Sequence, residues 1–183
     1  MNLPNKLTTL RMLLIPIYIV AYLLGYYCHI NALYVVAALI FIIASVTDFL
    51  DGKIARKYNL VTDFGKIMDP LADKLLVTSA LVCMVETGTV PAWMVIVILA
   101  REFAITGLRS VAASKGIVIA AAWSGKIKTV TQMIAIIFIL IGNWPFRYIG
   151  FPFDKIMLWI AVIMTIYSGA EYIYKGRDLF KSR

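Results

Sequence analysis

The sequence predicts an all-α integral membrane protein: six transmembrane helices with a short amphipathic N-terminal segment, forming a single domain over residues 1–183. Three observations carry that expectation. Hydrophobic residues make up 62% of the chain, where a water-soluble domain has roughly half. Six apolar runs of near-spanning length follow one another, and a bilayer accepts such runs as helices because every backbone group is then paired within the segment. Basic residues collect at alternate ends of those runs, as the positive-inside rule requires of a multi-span protein.

The first run covers about Leu10 to Tyr27, with Pro16 inside it as a possible kink. Before it, Asn5-Lys6-Leu7-Thr8-Thr9-Leu10-Arg11 is polar enough to start the helix amphipathically at the membrane surface. It is read as a retained span rather than a removed signal peptide. The second run is Asn31 to Leu50 and ends in a group of acids. The third begins near Gly65 and continues to Val85, with Pro70 tolerable as a residue near the helix start. The fourth, Pro91 to Val111, carries Arg101 and Glu102 near its middle, deeper than snorkelling explains. Adjacent helical positions point about 100° apart, so these two are expected to satisfy different partners. The fifth run is Lys126 to Gly142, and the sixth is Phe153 to Tyr174, followed by a basic tail. A spanning helix takes ~20 residues, so six leave no room for a separate soluble domain.

A formal charge of +8 in a soluble chain would suggest nucleic acid. Here the cations flank apolar runs, where they set orientation and meet anionic headgroups, so no nucleic-acid partner is expected. With six spans, one side collects the N-terminus, the Lys53–Lys66 region, the Arg109–Lys128 region and the tail. Of 18 basic residues only Arg147 and Lys155 fall on the other side. The first side is therefore read as cytoplasmic, with both termini there. Cys28 and Cys83 are too few and too far apart for a disulfide framework, and read as small buried hydrophobes. His29 lies in an extracytoplasmic turn and receives no role.

Chemistry concentrates between Asp48 and Asp73. The stretch reads Asp48-x-x-Asp51-Gly52-x-x-Ala55-Arg56, eight residues, then Gly65-x-x-x-Asp69-x-x-x-Asp73. Residues three and four apart share a helical face, so Asp48 and Asp51 point one way from one helix, and Asp69 and Asp73 one way from the next. Antiparallel neighbours would turn the two pairs toward each other. Four carboxylates at one point suit a hard divalent cation. Taken singly, each acid could equally cap a helix or pair with Lys53, Arg56, Lys66 or Lys74. A cluster of four beside apolar segments is costly, and such clusters are kept for function.

This pattern resembles the signature of the CDP-alcohol phosphotransferases, membrane enzymes that join a CDP-activated alcohol to a second alcohol and release CMP. Each specified position is matched: Asp48, Asp51, Gly52, Ala55, Arg56, Gly65, Asp69 and Asp73. Looser motifs resemble the branch that makes phosphatidylglycerophosphate in bacteria: Asn5-x-x-Thr8-x-x-Arg11 with Pro16, Arg101-Glu102 followed by Leu108-Arg109, and Gly125-Lys126-x-Lys128-Thr129.

The resemblance implies CDP-diacylglycerol as donor, glycerol 3-phosphate as acceptor, and a six-helix fold in the bacterial cytoplasmic membrane among membrane lipids, commonly a homodimer. It implies that Asp48, Asp51, Asp69 and Asp73 ligate Mg²⁺ or Mn²⁺, two ions per active site, with Asp73 also the general base. On the residues alone, base and ligand are not separable. Thr8, Gly52, Ala55, Arg56 and Gly65 fall to the CDP-lipid. The glycines and Ala55 leave room for close approach, or for helix packing. Arg56 offers a planar fork to a phosphate, or an interfacial charge. Arg109, Lys126 and Lys128 are candidates for the acceptor's phosphate, with positive-inside anchoring as the plainer role of the two lysines. Serine or inositol phosphate as acceptor remains open within the same reaction class. A divalent-cation transporter is the rival from another class, though Gly52-x-x-Ala55-Arg56 is not something a cation path requires.

Overall fold

A computed structural model describes residues 3–57, 63–117 and 122–181; the side chains of 3, 4, 48–57, 63, 64, 66, 67 and 175–181 lie outside the description. Among the described residues there are six α-helices, one short 3-10 turn and no strand. The helices are α1 Leu3–Tyr27, α2 Asn31–Lys57, α3 Asp63–Glu86, α4 Ala92–Ser114, α5 Trp123–Leu140 and α6 Phe153–Lys181, with the turn at Phe146–Ile149. Each apolar run is therefore one helix. Three of them contain stretches long and apolar enough to cross a membrane: Asn5–Tyr27, Trp123–Leu140 and Phe153–Tyr174. Asn31–Thr47 of α2 is a shorter apolar stretch.

Side chains are arranged inside out relative to a water-soluble bundle. On α1, Leu10, Leu13, Ile17, Val20 and Leu24 face outward at spacings of three and four. Thr8, Arg11, Ile15, Tyr18 and Tyr22 form the buried stripe. On α5 the buried stripe includes Ser124, Lys128 and Gln132, while Ile127 and Val130 are exposed. Buried polar groups beneath an apolar exterior are what a lipid solvent selects.

The helices fall into two compact units. Unit 1 is Met1–Thr89 with Leu140–Gly142, and unit 2 is Val90–Ile139 with Asn143–Arg183. In unit 1, α1 packs on both α2 and α3, and α2 touches α3. The α1–α2 turn is tight: Ile30 N–H donates to Gly25 O at 3.0 Å, and a Cβ on Gly25 would stand 3.3 Å from the Leu33 Cβ. Ala37, Ala38 and Ala44 around Phe41 give α2 a small-residue face, which lets packed helices approach closely. Contacts at both ends show that α1 and α3 run parallel. Thr8 meets Asp69 near their starts, and Tyr22 meets Thr87 at 3.0 Å near their ends. The Tyr27 hydroxyl also donates to Glu86 at 2.7 Å. Since α2 folds back on α1, it is antiparallel to α3.

In unit 2, α4 packs on α6. Gly169 of α6 leaves room for Arg101 of α4: a Cβ there would stand 3.3 Å from Arg101 Cγ. The connection from α5 to α6 is a built element: Asn143 Nδ2 donates to Phe151 O at 2.7 Å, and the Phe146 ring stacks on Phe153 with centroids 4.5 Å apart.

The polar N-terminal segment starts α1, as expected, with Asn5, Thr8 and Arg11 turned inward. Three other expectations change in detail. Pro70 sits well inside α3 rather than at its start. Cys28 is exposed because it lies in the α1–α2 turn, while Cys83 is buried as expected. Helices α2 and α6 outlast their apolar runs, since backbone hydrogen bonding continues where hydrophobicity stops.

Candidate active site

Unit 1 gathers the acidic motif at one end. Thr8 is wholly buried, and its hydroxyl donates to Asp69 Oδ1 across α1 and α3. Asn5, Thr8 and Arg11 recur every third residue, so they form one polar stripe on α1, and all three are buried. On α3, Gly65, Asp69 and Asp73 recur every fourth residue on one face; Gly65 is buried and the two acids are half-buried. From the turn at His29, equal numbers of residues lead back to Thr8 and forward to Leu50. At equal rise per residue, the acidic half of α2 returns to the level of Thr8 and Asp69.

α2 is helical throughout Asp48, Asp51, Gly52, Ala55 and Arg56, so these positions share a face by register. Their side chains lie outside the described residues. Among the described residues no group of three or more His, Cys, Asp or Glu converges, and Asp69 and Asp73 are the part of the predicted set that is described. The donor chemistry fits a hard divalent cation, because every candidate ligand atom is a carboxylate oxygen. Thr8 supports that fit by holding one of those carboxylates in a fixed orientation, as outer partners of metal ligands do.

Unit 2 holds the second polar group. Glu102 Oε1 accepts from Lys128 Nζ at 2.5 Å and from Arg101 Nη1 at 3.2 Å. The Lys128 side chain is only 3% exposed. The expectation that Arg101 and Glu102 serve different partners therefore holds only in part: the long guanidinium bends back to its neighbour, and it also lies over the Tyr172 ring, 5.5 Å from the centroid. A Cβ on Gly125 would stand 3.3 Å from Arg101 Nη2 and 3.8 Å from the Tyr172 ring, so a glycine here lets α5 begin against that pair. Lys126 is exposed, with its ammonium 5.2 Å from the Trp123 ring centroid. Arg109 is exposed on the last turns of α4. Arg109 and Lys126 are thus exposed, whereas Lys128 is buried against Glu102.

Sequence reasoning passed over Glu171 and Tyr172. The Ser124 hydroxyl donates to Glu171 Oε2, and the N–H of Ala122 donates to the Tyr172 hydroxyl at 2.8 Å. Two successive α6 residues thereby fix the start of α5. The signal was available, because Glu171 is an acid within an apolar run.

Comparison with known proteins bears on what these groups do. A family model, that of the CDP-alcohol phosphatidyltransferases, matches residues 1–167. The chain is 49% identical to the CDP-diacylglycerol--glycerol-3-phosphate 3-phosphatidyltransferase of Bacillus subtilis (strain 168), covering 99% of this chain and 98% of the relative. It is 40% identical to the protein of the same name from Haemophilus influenzae, covering 94% and 91%. It is also 38% identical to a probable phosphatidylglycerophosphate synthase of Mycobacterium tuberculosis (strain ATCC 25618 / H37Rv), covering 97% and 83%.

Proposed function

This chain belongs to the CDP-alcohol phosphatidyltransferase family, and we propose that it transfers the phosphatidyl group of CDP-diacylglycerol to glycerol 3-phosphate, giving phosphatidylglycerophosphate and CMP. Near-full-length similarity to relatives named for that reaction supports the choice of donor and acceptor. The observation that carries the site is the Thr8–Asp69 hydrogen bond. It ties the buried polar stripe of α1 to the motif acids of α3, at the end to which the acidic half of α2 returns.

In this reading the primary hydroxyl of glycerol 3-phosphate attacks the lipid-side phosphorus of the pyrophosphate. The new P–O bond forms as the bond to CMP breaks. Asp73 takes the hydroxyl proton. Asp48, Asp51, Asp69 and Asp73 would hold Mg²⁺ or Mn²⁺, two ions, whose role when bound is to neutralise the pyrophosphate and the leaving oxygen of CMP. Thr8 keeps the Asp69 carboxylate oriented. Arg56 forks onto a phosphate of the CDP-lipid. Gly52, Ala55 and Gly65 present backbone without bulk to the nucleotide. Arg109, Lys126 and Lys128 supply positive charge for the acceptor's own phosphate.

The wider reading is a six-span homodimer in the bacterial cytoplasmic membrane. All of residues 1–183 form one functional domain, and both termini and the acidic site face the cytoplasm. Purified protein supplied with CDP-diacylglycerol and a panel of acceptors tests the assignment. The lipid product should form fastest with glycerol 3-phosphate; faster turnover with serine or inositol phosphate would reassign the acceptor, and no CMP with any acceptor would favour cation transport.

A further inference from the structure

Glu102 and Glu171 are acids inside apolar helices, and neither belongs to the motif. Each carboxylate reaches the first turns of α5: Glu171 through Ser124, and Glu102 through Lys128. The start of α5 has an electrostatic problem. It carries Lys126 and Lys128 but no acid in its first turn, and cations at the positive end of a helix dipole are disfavoured. Neighbouring helices provide the missing negative charge, from α4 and from α6. Lys128 is the more constrained of the two lysines, because its ammonium is buried and its partner oxygen is shared with Arg101. Arg101 is itself packed by Gly125, Gly169 and Tyr172. The oxygen to which Lys128 is tied therefore belongs to a rigid group.

We propose that Glu102 is a positioning residue for the acceptor: by holding the Lys128 ammonium in place, it sets the cation that the acceptor's phosphate meets. The inference rests on the reading of Lys128 given above. An unrestrained lysine swings on a flexible four-carbon stem, and ordering it at the moment of binding would weaken affinity. A carboxylate that has already ordered it removes that cost.

The test is steady-state kinetics of Glu102→Gln, Glu102→Asp, Lys128→Gln and the Glu102→Gln/Lys128→Gln double variant in lipid nanodiscs. Glu102→Gln should raise the KM for glycerol 3-phosphate about tenfold, on the order of one charge-assisted hydrogen bond, and barely move that for CDP-diacylglycerol. Glu102→Asp should fall between it and wild type. In the Lys128→Gln background, Glu102→Gln should add nothing. An unchanged KM for glycerol 3-phosphate in Glu102→Gln, or an equal loss on top of Lys128→Gln, overturns the proposal. Should Glu102→Gln not fold, Glu102→Asp decides alone: it keeps the charge but retracts it by one methylene, and a wild-type KM there also overturns the proposal. Wild-type enzyme that cannot use glycerol 3-phosphate would sink the functional reading itself, which is a separate result.

Discussion

Thr8 of α1 donates a hydrogen bond to Asp69 of α3, joining residues 61 positions apart in sequence. Thr8 is fully buried and Asp69 half-buried. Hydrogen bonds to charged groups contribute ~1.5–3 kcal/mol. Thr8→Val, which keeps the shape, should therefore lower kcat/KM by roughly one to two decades, and Thr8→Ser should restore most of it. Kinetics of the two variants side by side check this; equal activity of Thr8→Val and wild type would remove Thr8 from the site.

The proposed all-carboxylate donor set predicts metal dependence. Excess chelator should abolish CMP release, and Mg²⁺ or Mn²⁺ should restore it. Asp48→Ala, Asp51→Ala and Asp69→Ala should each weaken metal binding and turnover together. Full activity in excess chelator would rule out the two-ion reading.

Topology can be read with a native thiol. Cys28 is exposed in the α1–α2 turn, assigned to the extracytoplasmic side, and Cys83 is buried. A membrane-impermeant maleimide applied to intact cells should label wild-type protein and should miss Cys28→Ser. In the Cys28→Ser background, Arg147→Cys should be labelled and Lys181→Cys should not. The reverse pattern would put the acidic site on the wrong face for a cytoplasmic nucleotide.

The two cationic groups should separate kinetically. Arg109→Ala and Lys126→Ala each remove a charged donor proposed for the acceptor. Their kcat/KM should fall by about one to two decades, mostly through the KM for glycerol 3-phosphate. Arg56→Ala should show its loss with CDP-diacylglycerol instead. Varying each substrate in turn distinguishes them; a loss confined to CDP-diacylglycerol in Arg109→Ala or Lys126→Ala would place those cations on the donor.

Much of the fold was legible because a bilayer reduces the choices to one. Each sustained apolar run became a helix, from α1 to α6. Helix ends were less legible. Hydropathy marks where lipid stops, and α2 continues past Leu50 to Lys57 regardless. The spacing of Asp69 and Asp73 revealed their common face, because helical period alone decides it. Thr8 was singled out by resemblance, but its partner was not, since the contact depends on α1 and α3 running parallel. Lys128 illustrates a different limit. Its position beside Lys126 suggested two similar surface cations, yet they sit on different sides of α5. One is buried against Glu102 and the other lies exposed near Trp123. Glu171 was not legible as a partner of α5, because a single acid within α6 has no spacing pattern to set it apart.

The central claim is that the motif face carries out phosphatidyl transfer with Asp73 as the proton acceptor. Its most direct measurement is product stoichiometry: purified chain in nanodiscs with CDP-diacylglycerol and glycerol 3-phosphate, counting phosphatidylglycerophosphate and CMP together, for wild type and for Asp73→Asn. Wild type should give equal amounts of both products. The variant should lose roughly two to four decades of turnover, the range of general-base catalysis, with CDP-diacylglycerol still bound. CMP without the lipid product, or an Asp73→Asn variant that turns over like wild type, would contradict it.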